Sequence, residues 1–152
     1  MSEKDRVRLL FTSVGRRVEL IQAFRSAAAR LNVDLAIYGV DSAGDAPALF
    51  YCDLKETVCR ISDSAYIPQL LQMCRREKID LVIPTIDTDL LLLAREKGKF
   101  ERNGTRVLIS DPDKIALCRD KRLTRAFFEG CALKSPATTD DWKNITEVFP
   151  AS

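Results

Sequence analysis

The sequence predicts an α/β fold: an open parallel sheet of about five strands with helices on both faces. Three observations carry that expectation. Short apolar runs alternate with helical patterns through five cycles, the rhythm of βαβ units. The first cycle has no spacer, because an apolar run (Val7, Leu9, Leu10, Phe11) reaches Thr12-Ser13-Val14-Gly15 and a helical pattern follows at once. Within that pattern Val18, Ile21, Phe24, Ala28 and Leu31 are spaced three or four apart, so they share one helix face.

The later elements follow in order. A second strand is expected from about Leu35 to Val40, ending at Asp41, with a small-residue loop from Ser42 to Pro47 and a helical turn over Ala48 to Tyr51. A weaker third strand is expected around Thr57 to Ile61. Asp63 or Ser64 then caps a helix to Glu77 with Ile67, Leu70, Leu71 and Cys74 inward. Ile79 to Pro84 reads as the fourth strand. Thr88 or Asp87 caps a leucine-rich helix to about Phe100, and Arg106 to Ser110 is a fifth strand after the Asn103-Gly104 turn. Ser110-Asp111-Pro112 starts a helix with proline at its first position, ending near Cys118. From Asp120 the rhythm changes to a short helix (Lys121 to Glu129), an extended stretch to Pro136 and another helical turn at Thr138 to Asp141. The apolar run at Val148-Phe149 reads as the start of a strand, and so predicts a chain that continues.

Composition narrows the function. A chain of 152 residues can bury about 70% of its unfolded surface, enough for a conventional core. A formal charge of +2 argues against a dedicated nucleic-acid partner, whose footprint is a concentrated basic face. Five scattered cysteines without a CxxC fit buried thiols of a reduced cytoplasmic protein. The charged opening, Met1 to Arg8, lacks a signal-peptide pattern, and no apolar run is long enough to span a bilayer. Histidine is absent altogether. That excludes Ser-His-Asp and Cys-His catalysis and histidine-ligated metal within this chain.

Ligands in open parallel sheets bind at the carboxyl ends of the strands, and polar residues gather at three of those ends. Ser13, Gly15 and Arg16, with Arg17, follow the first strand. One reading is an anion or carboxylate site built from helix N-terminal amides and arginine forks; the other is a plain turn with solvated arginines. The single glycine matches neither a GxGxxG fingerprint nor a P-loop, which disfavours a dinucleotide enzyme. Asp41 ends the second strand, where it either caps its loop or meets Arg16 or Arg17. Thr85 and Asp87 follow the fourth strand, beside the first if the sheet is doubly wound.

The most specific feature lies further on. Asp120-Lys121, Thr124, Phe127-Phe128, Gly130 and Pro136 resemble the entry into the ATP-grasp fold. Upstream, FTSVGRRVELIQAF, GVD, KIDLVIPTIDTDLLLLA and LISDP follow in order. Together they are similar to the Rossmann-like N-terminal (pre-ATP-grasp) domain of carbamoyl-phosphate-synthase-like and pyrrolysine-biosynthesis-type ligases. The stretch Cys131 to Pro136 departs from the family's shorter linker.

The resemblance implies a pre-ATP-grasp domain over residues 1–119, and a linker with the start of an ATP-grasp domain over 120–152. It implies a ligase that activates a carboxylate as an acyl phosphate with MgATP, with Lys121 reaching the ATP phosphates. Ser13, Gly15, Arg16, Asp41, Thr85 and Asp87 would then face the substrate cleft. The family's second ATP lysine, glycine-rich loop and magnesium-binding carboxylates are not found in this sequence. The chain alone is therefore expected to contribute no catalytic residue and no metal ligand, and to be inactive. Its expected partners are a small carboxylate substrate and the rest of the ATP-grasp machinery, in cis or as a separate subunit; a homo-oligomer is compatible with the sequence. The alternative is a stand-alone small-molecule-binding or regulatory module.

Overall fold

A computed structural model describes residues 6–136. The chain divides into two compact units, one ending at Ser110 and the other beginning at Asp111. The first holds β1 (Arg6–Thr12), α1 (Val18–Leu31), β2 (Asp34–Asp41), a 3-10 helix (Pro47–Tyr51), β3 (Leu54–Thr57), α2 (Tyr66–Glu77), β4 (Leu81–Pro84), α3 (Asp87–Glu101) and β5 (Arg106–Val107). The second holds α4 (Pro112–Arg119) and α5 (Lys121–Gly130).

All five strands are parallel, in the order β3-β2-β1-β4-β5. The chain therefore builds outward from β1 through β2 to β3, then returns to the other side of β1 with β4. Leu10, paired with both Tyr38 and Val82, marks the central position of β1. The reversal of direction between β1 and β4 opens a crevice at the carboxyl ends of these strands.

The alternation of side chains along each strand sorts the core into two layers. Leu9, Phe11, Ile37 and Ile83 face Ile21 of α1 and Leu49 of the 3-10 helix. Leu10, Val40, Val82 and Val107 face Leu70 of α2 and Leu93 and Phe100 of α3. Helices thus cover both faces, as the alternating pattern predicts. Each fully buried Leu, Ile or Phe contributes about 1.5–3 kcal/mol of burial free energy. One contact is tight enough to require glycine: a Cβ at Gly39 would stand 2.5 Å from the Cys52 sulfur. That thiol donates to the Ala48 carbonyl at 3.4 Å, closing the end of the 3-10 helix.

Several expectations shift. The third strand lies at Leu54–Thr57, upstream of the Thr57 to Ile61 stretch read from the sequence. Val58 and Ile61 pack on the α2/α3 layer, and the pairing with β2 ends where the Val58 amide donates to the Asp41 carbonyl at 3.0 Å. The fifth strand is two residues long, and the fourth begins at Leu81 rather than Ile79. Leu31 is 74% exposed, since α1 ends there and Asn32 turns the chain through the left-handed region at φ 56°. Neither Thr88 nor Asp87 caps α3; Ile86 holds that position without a side-chain bond, and both polar residues lie inside the helix. The helix expected from Asp63 starts at Tyr66, although the Asp63 carboxylate does accept from the Ala65 amide at 2.8 Å.

In the second unit, Pro112 opens α4 and Asp120 caps α5 by accepting from the Arg122 amide at 2.9 Å. The Arg122 side chain and amide together hold the Asp120 carboxyl down at about 2. Neither helix buries a residue. The helical turn expected at Thr138 to Asp141 and the apolar Val148-Phe149 lie outside the described residues. No helix among the described residues is long and apolar enough to cross a membrane.

Candidate functional site

The turn after β1 is shaped by two left-handed residues, Ser13 at φ 52° and Gly15 at φ 50°. Gly15 adopts this conformation freely, whereas for Ser13 it is strained and must be held by its surroundings. Val14, fully buried between them, donates to the Val40 carbonyl at 3.2 Å. The Gly15 amide donates to Asp41 Oδ2 at 2.9 Å, and the Ala43 amide donates to Asp41 Oδ1 at 3.0 Å. Asp41 therefore ties the β1 turn to the β2 turn and caps its own loop. It makes no ion pair with Arg16 or Arg17. Thr85 holds the turn from the other side, donating to the Thr12 and Ser13 carbonyls at 2.9 and 2.6 Å.

Beneath Ser13 lies a carboxyl group that the sequence reading passed over. Asp89, in the first turn of α3, is 0% exposed. Its Oδ2 accepts from Thr12 Oγ1 at 2.8 Å, Ser13 Oγ at 2.9 Å and Tyr66 OH at 3.2 Å. Its Oδ1 has no hydrogen-bond partner among the described residues. Burial pushes the Asp89 carboxyl above the usual carboxylate range, and the three hydroxyls oppose that shift without cancelling it. Burial likewise raises Tyr66, with the negative charge of Asp89 adding to the effect.

These groups surround an open cleft of about 720 Å³ at the carboxyl ends of β1, β2 and β4. Ser13, Gly15 and Asp41 line it on one side, with Tyr66 and Thr88 from α2 and α3. Arg17 and Arg60 contribute the cationic lining. Of the residues read from the sequence, Ser13, Gly15 and Asp41 thus come together around one cleft. Thr85 stands behind it as a brace for the turn. Arg16 and Asp87 are exposed and are not among the lining residues, and the arginine at the cleft is Arg17. Lys121 is exposed on α5 in the second unit.

Asp89, Tyr66 and Arg60 were not assigned from the sequence. A signal for Asp89 existed: Asp89, Leu93 and Phe100 keep helical spacing along the buried side of α3. A carboxyl on that side has to find buried partners. Arg60 had none, since it sits in a loop without periodicity. No group of three or more cysteine, aspartate or glutamate side chains suited to a metal ion occurs among the described residues.

Several solved structures share this architecture. The chain is similar to an L-amino acid ligase from Bacillus licheniformis (TM-score 0.63, 15% identity), covering 89% of this chain and 31% of that one. It is similar to N5-carboxyaminoimidazole synthetase from Staphylococcus aureus complexed with ADP (TM-score 0.61, 14% identity), covering 96% and 36%. It is also similar to the biotin carboxylase domain of a single-chain bacterial carboxylase (TM-score 0.60, 18% identity), covering 93% and 33%. This chain thus spans about a third of the length of each. At these identities the likeness establishes the fold. No curated protein matches the sequence. The model of the PylC-like, N-terminal domain family matches residues 9–108, from the middle of β1 to just past β5. That agrees with the pyrrolysine-biosynthesis-type, pre-ATP-grasp resemblance of its motifs, and the chain belongs to the PylC-like N-terminal domain family.

Proposed function

We propose that this chain is the substrate-side N-terminal domain of an ATP-grasp carboxylate–amine ligase acting in the cytoplasm, and that it works only together with an ATP-grasp part in cis or as a separate subunit. The observation that carries the reading is the polar cleft at the switch point of a sheet that belongs to this family. In that role Arg17 and Arg60 hold the carboxylate to be activated, because guanidinium forks suit its two oxygens. Asp41 and Thr85 keep the β1 turn in its strained form, so the cleft is shaped before the ligand arrives. Residues 1–119 would form this domain, and 120–152 would lead into the nucleotide-binding part.

Lys121 is the residue proposed to meet the ATP phosphates, as a mobile point charge on the exposed side of α5. Magnesium needs clustered oxygen donors, and the described residues gather no such cluster. The metal would accordingly be held by the complementary part, and no catalytic step is assigned to residues of this chain. Bound there, MgATP would supply the phosphoryl group for an acyl phosphate, which the amine then displaces.

The test is substrate-dependent ADP release. The chain alone should release none, and the chain joined to or mixed with its ATP-grasp counterpart should release ADP only when carboxylate and amine are present. Magnesium-dependent turnover by the chain alone would refute the proposal.

A further inference from the structure

The hydrogen bonding of the cleft floor decides which end of a ligand it accepts. Ser13 and Tyr66 are both among the residues lining the cleft, and each hydroxyl has a single proton. Both protons are committed to Asp89 Oδ2. What these two oxygens still offer is lone pairs alone. Next to them stands Asp41, whose two oxygens are acceptors as well and take the Gly15 and Ala43 amides. Among the described residues neither Asp41 nor Asp89 forms an ion pair. A carboxylate set against these three side chains would meet hydroxyl lone pairs and a carboxyl group.

We propose that the floor formed by Ser13, Tyr66 and Asp41 binds a primary ammonium group of the ligand. An ammonium carries three donors and a positive charge, which matches two hydroxyl lone pairs and an unpaired carboxylate. The carboxylate of the ligand is then left for Arg60 and for Arg17, whose Nη1 lies close to Gly15. The inference rests on the cleft being the substrate site, and it gives Ser13 and Asp41 a different part of the ligand from the carboxylate expected from the sequence. Asp89 acts here as a positioning residue: by taking both hydroxyl protons it fixes the floor as an acceptor surface.

The test is a titration of the isotope-labelled full chain with n-butylammonium, butyrate and n-butanol, followed by amide chemical shifts. The ammonium probe is expected to move Ser13, Gly15 and Tyr66 in a saturable way, while butyrate moves Arg17 and Arg60 and leaves the floor unchanged. Tyr66→Phe, which removes one acceptor and keeps the ring, should weaken the ammonium probe about threefold. Asp89→Asn, if it folds, should weaken it about tenfold, because the hydroxyls are no longer held as acceptors and a nearby negative charge is lost. Butyrate or butanol moving the floor as strongly as the ammonium, or Tyr66→Phe binding it unchanged, would overturn the ammonium site and leave the substrate cleft standing. If no probe moves any cleft residue, both the site and the cleft reading fall.

Discussion

The two units of this chain use apolar residues in opposite ways. In the unit ending at Ser110, Leu10, Phe11, Ile21, Ile37, Leu70, Leu93 and Phe100 are each 0% exposed. In the unit beginning at Asp111, neither α4 nor α5 buries any residue, and Leu123, Phe127 and Leu133 are 50%, 49% and 55% exposed. The first unit has the means to fold on its own burial, since its sheet is covered on both faces. The second is held by local bonds: the Asp120 cap, the Arg125–Glu129 pair across one helical turn, and Thr124 Oγ1 donating to the Leu117 carbonyl at 2.9 Å. Helices of that length gain little from such bonds alone. Stability and the ligand cleft therefore both reside in the family-matched residues, while the segment proposed to meet ATP shows a large apolar face.

The contrast can be broken or sharpened by mutation. Phe100→Ala removes a fully buried ring between α3 and the sheet and should cost about 3–5 kcal/mol in urea unfolding. A loss below about 1 kcal/mol would show that the first unit does not depend on its core. A smaller effect should appear for Asp89. Its carboxyl binds a proton more tightly in the folded chain than in the unfolded one, so its contribution is full below the ordinary value of 3.8 and declines as pH rises through the folded value. The stability of the native chain minus that of Asp89→Asn should therefore fall from pH 4 upward and then level off. A difference that grows with pH would mean that the three hydroxyls outweigh burial. The smallest effect is expected for Phe127→Ala, which should change unfolding free energy by less than about 0.5 kcal/mol because the ring is half exposed.

The same contrast governs what could be read from the sequence. The β1–α1 unit was legible because its apolar residues repeat at helical spacing and its strand is buried on both faces. The edge strand was misplaced because Leu54–Thr57 owes its pairing with β2 to backbone bonds, which leave little mark on side chains. The rule of strand ends pointed to Ser13, Gly15 and Asp41, and the structure brings these three around one cleft. Its floor was missed because attention at the start of α3 fell on Asp87 and Thr88 as caps, and only the helical phase marks Asp89 as an inward carboxyl. Similarly, Arg16 and Arg17 are indistinguishable in a sequence. The tight turn at Gly15 exposes the first and brings the second to the cleft.

The most direct test of the account is kinetic, in the ligase reconstituted from this chain and its ATP-grasp counterpart. Arg17→Ala should raise KM for the carboxylate about tenfold and leave KM for ATP unchanged, since a charge-assisted contact of that size would be lost on one substrate only. An increase in KM for ATP with the carboxylate KM unaltered would contradict the assignment of this cleft to the substrate.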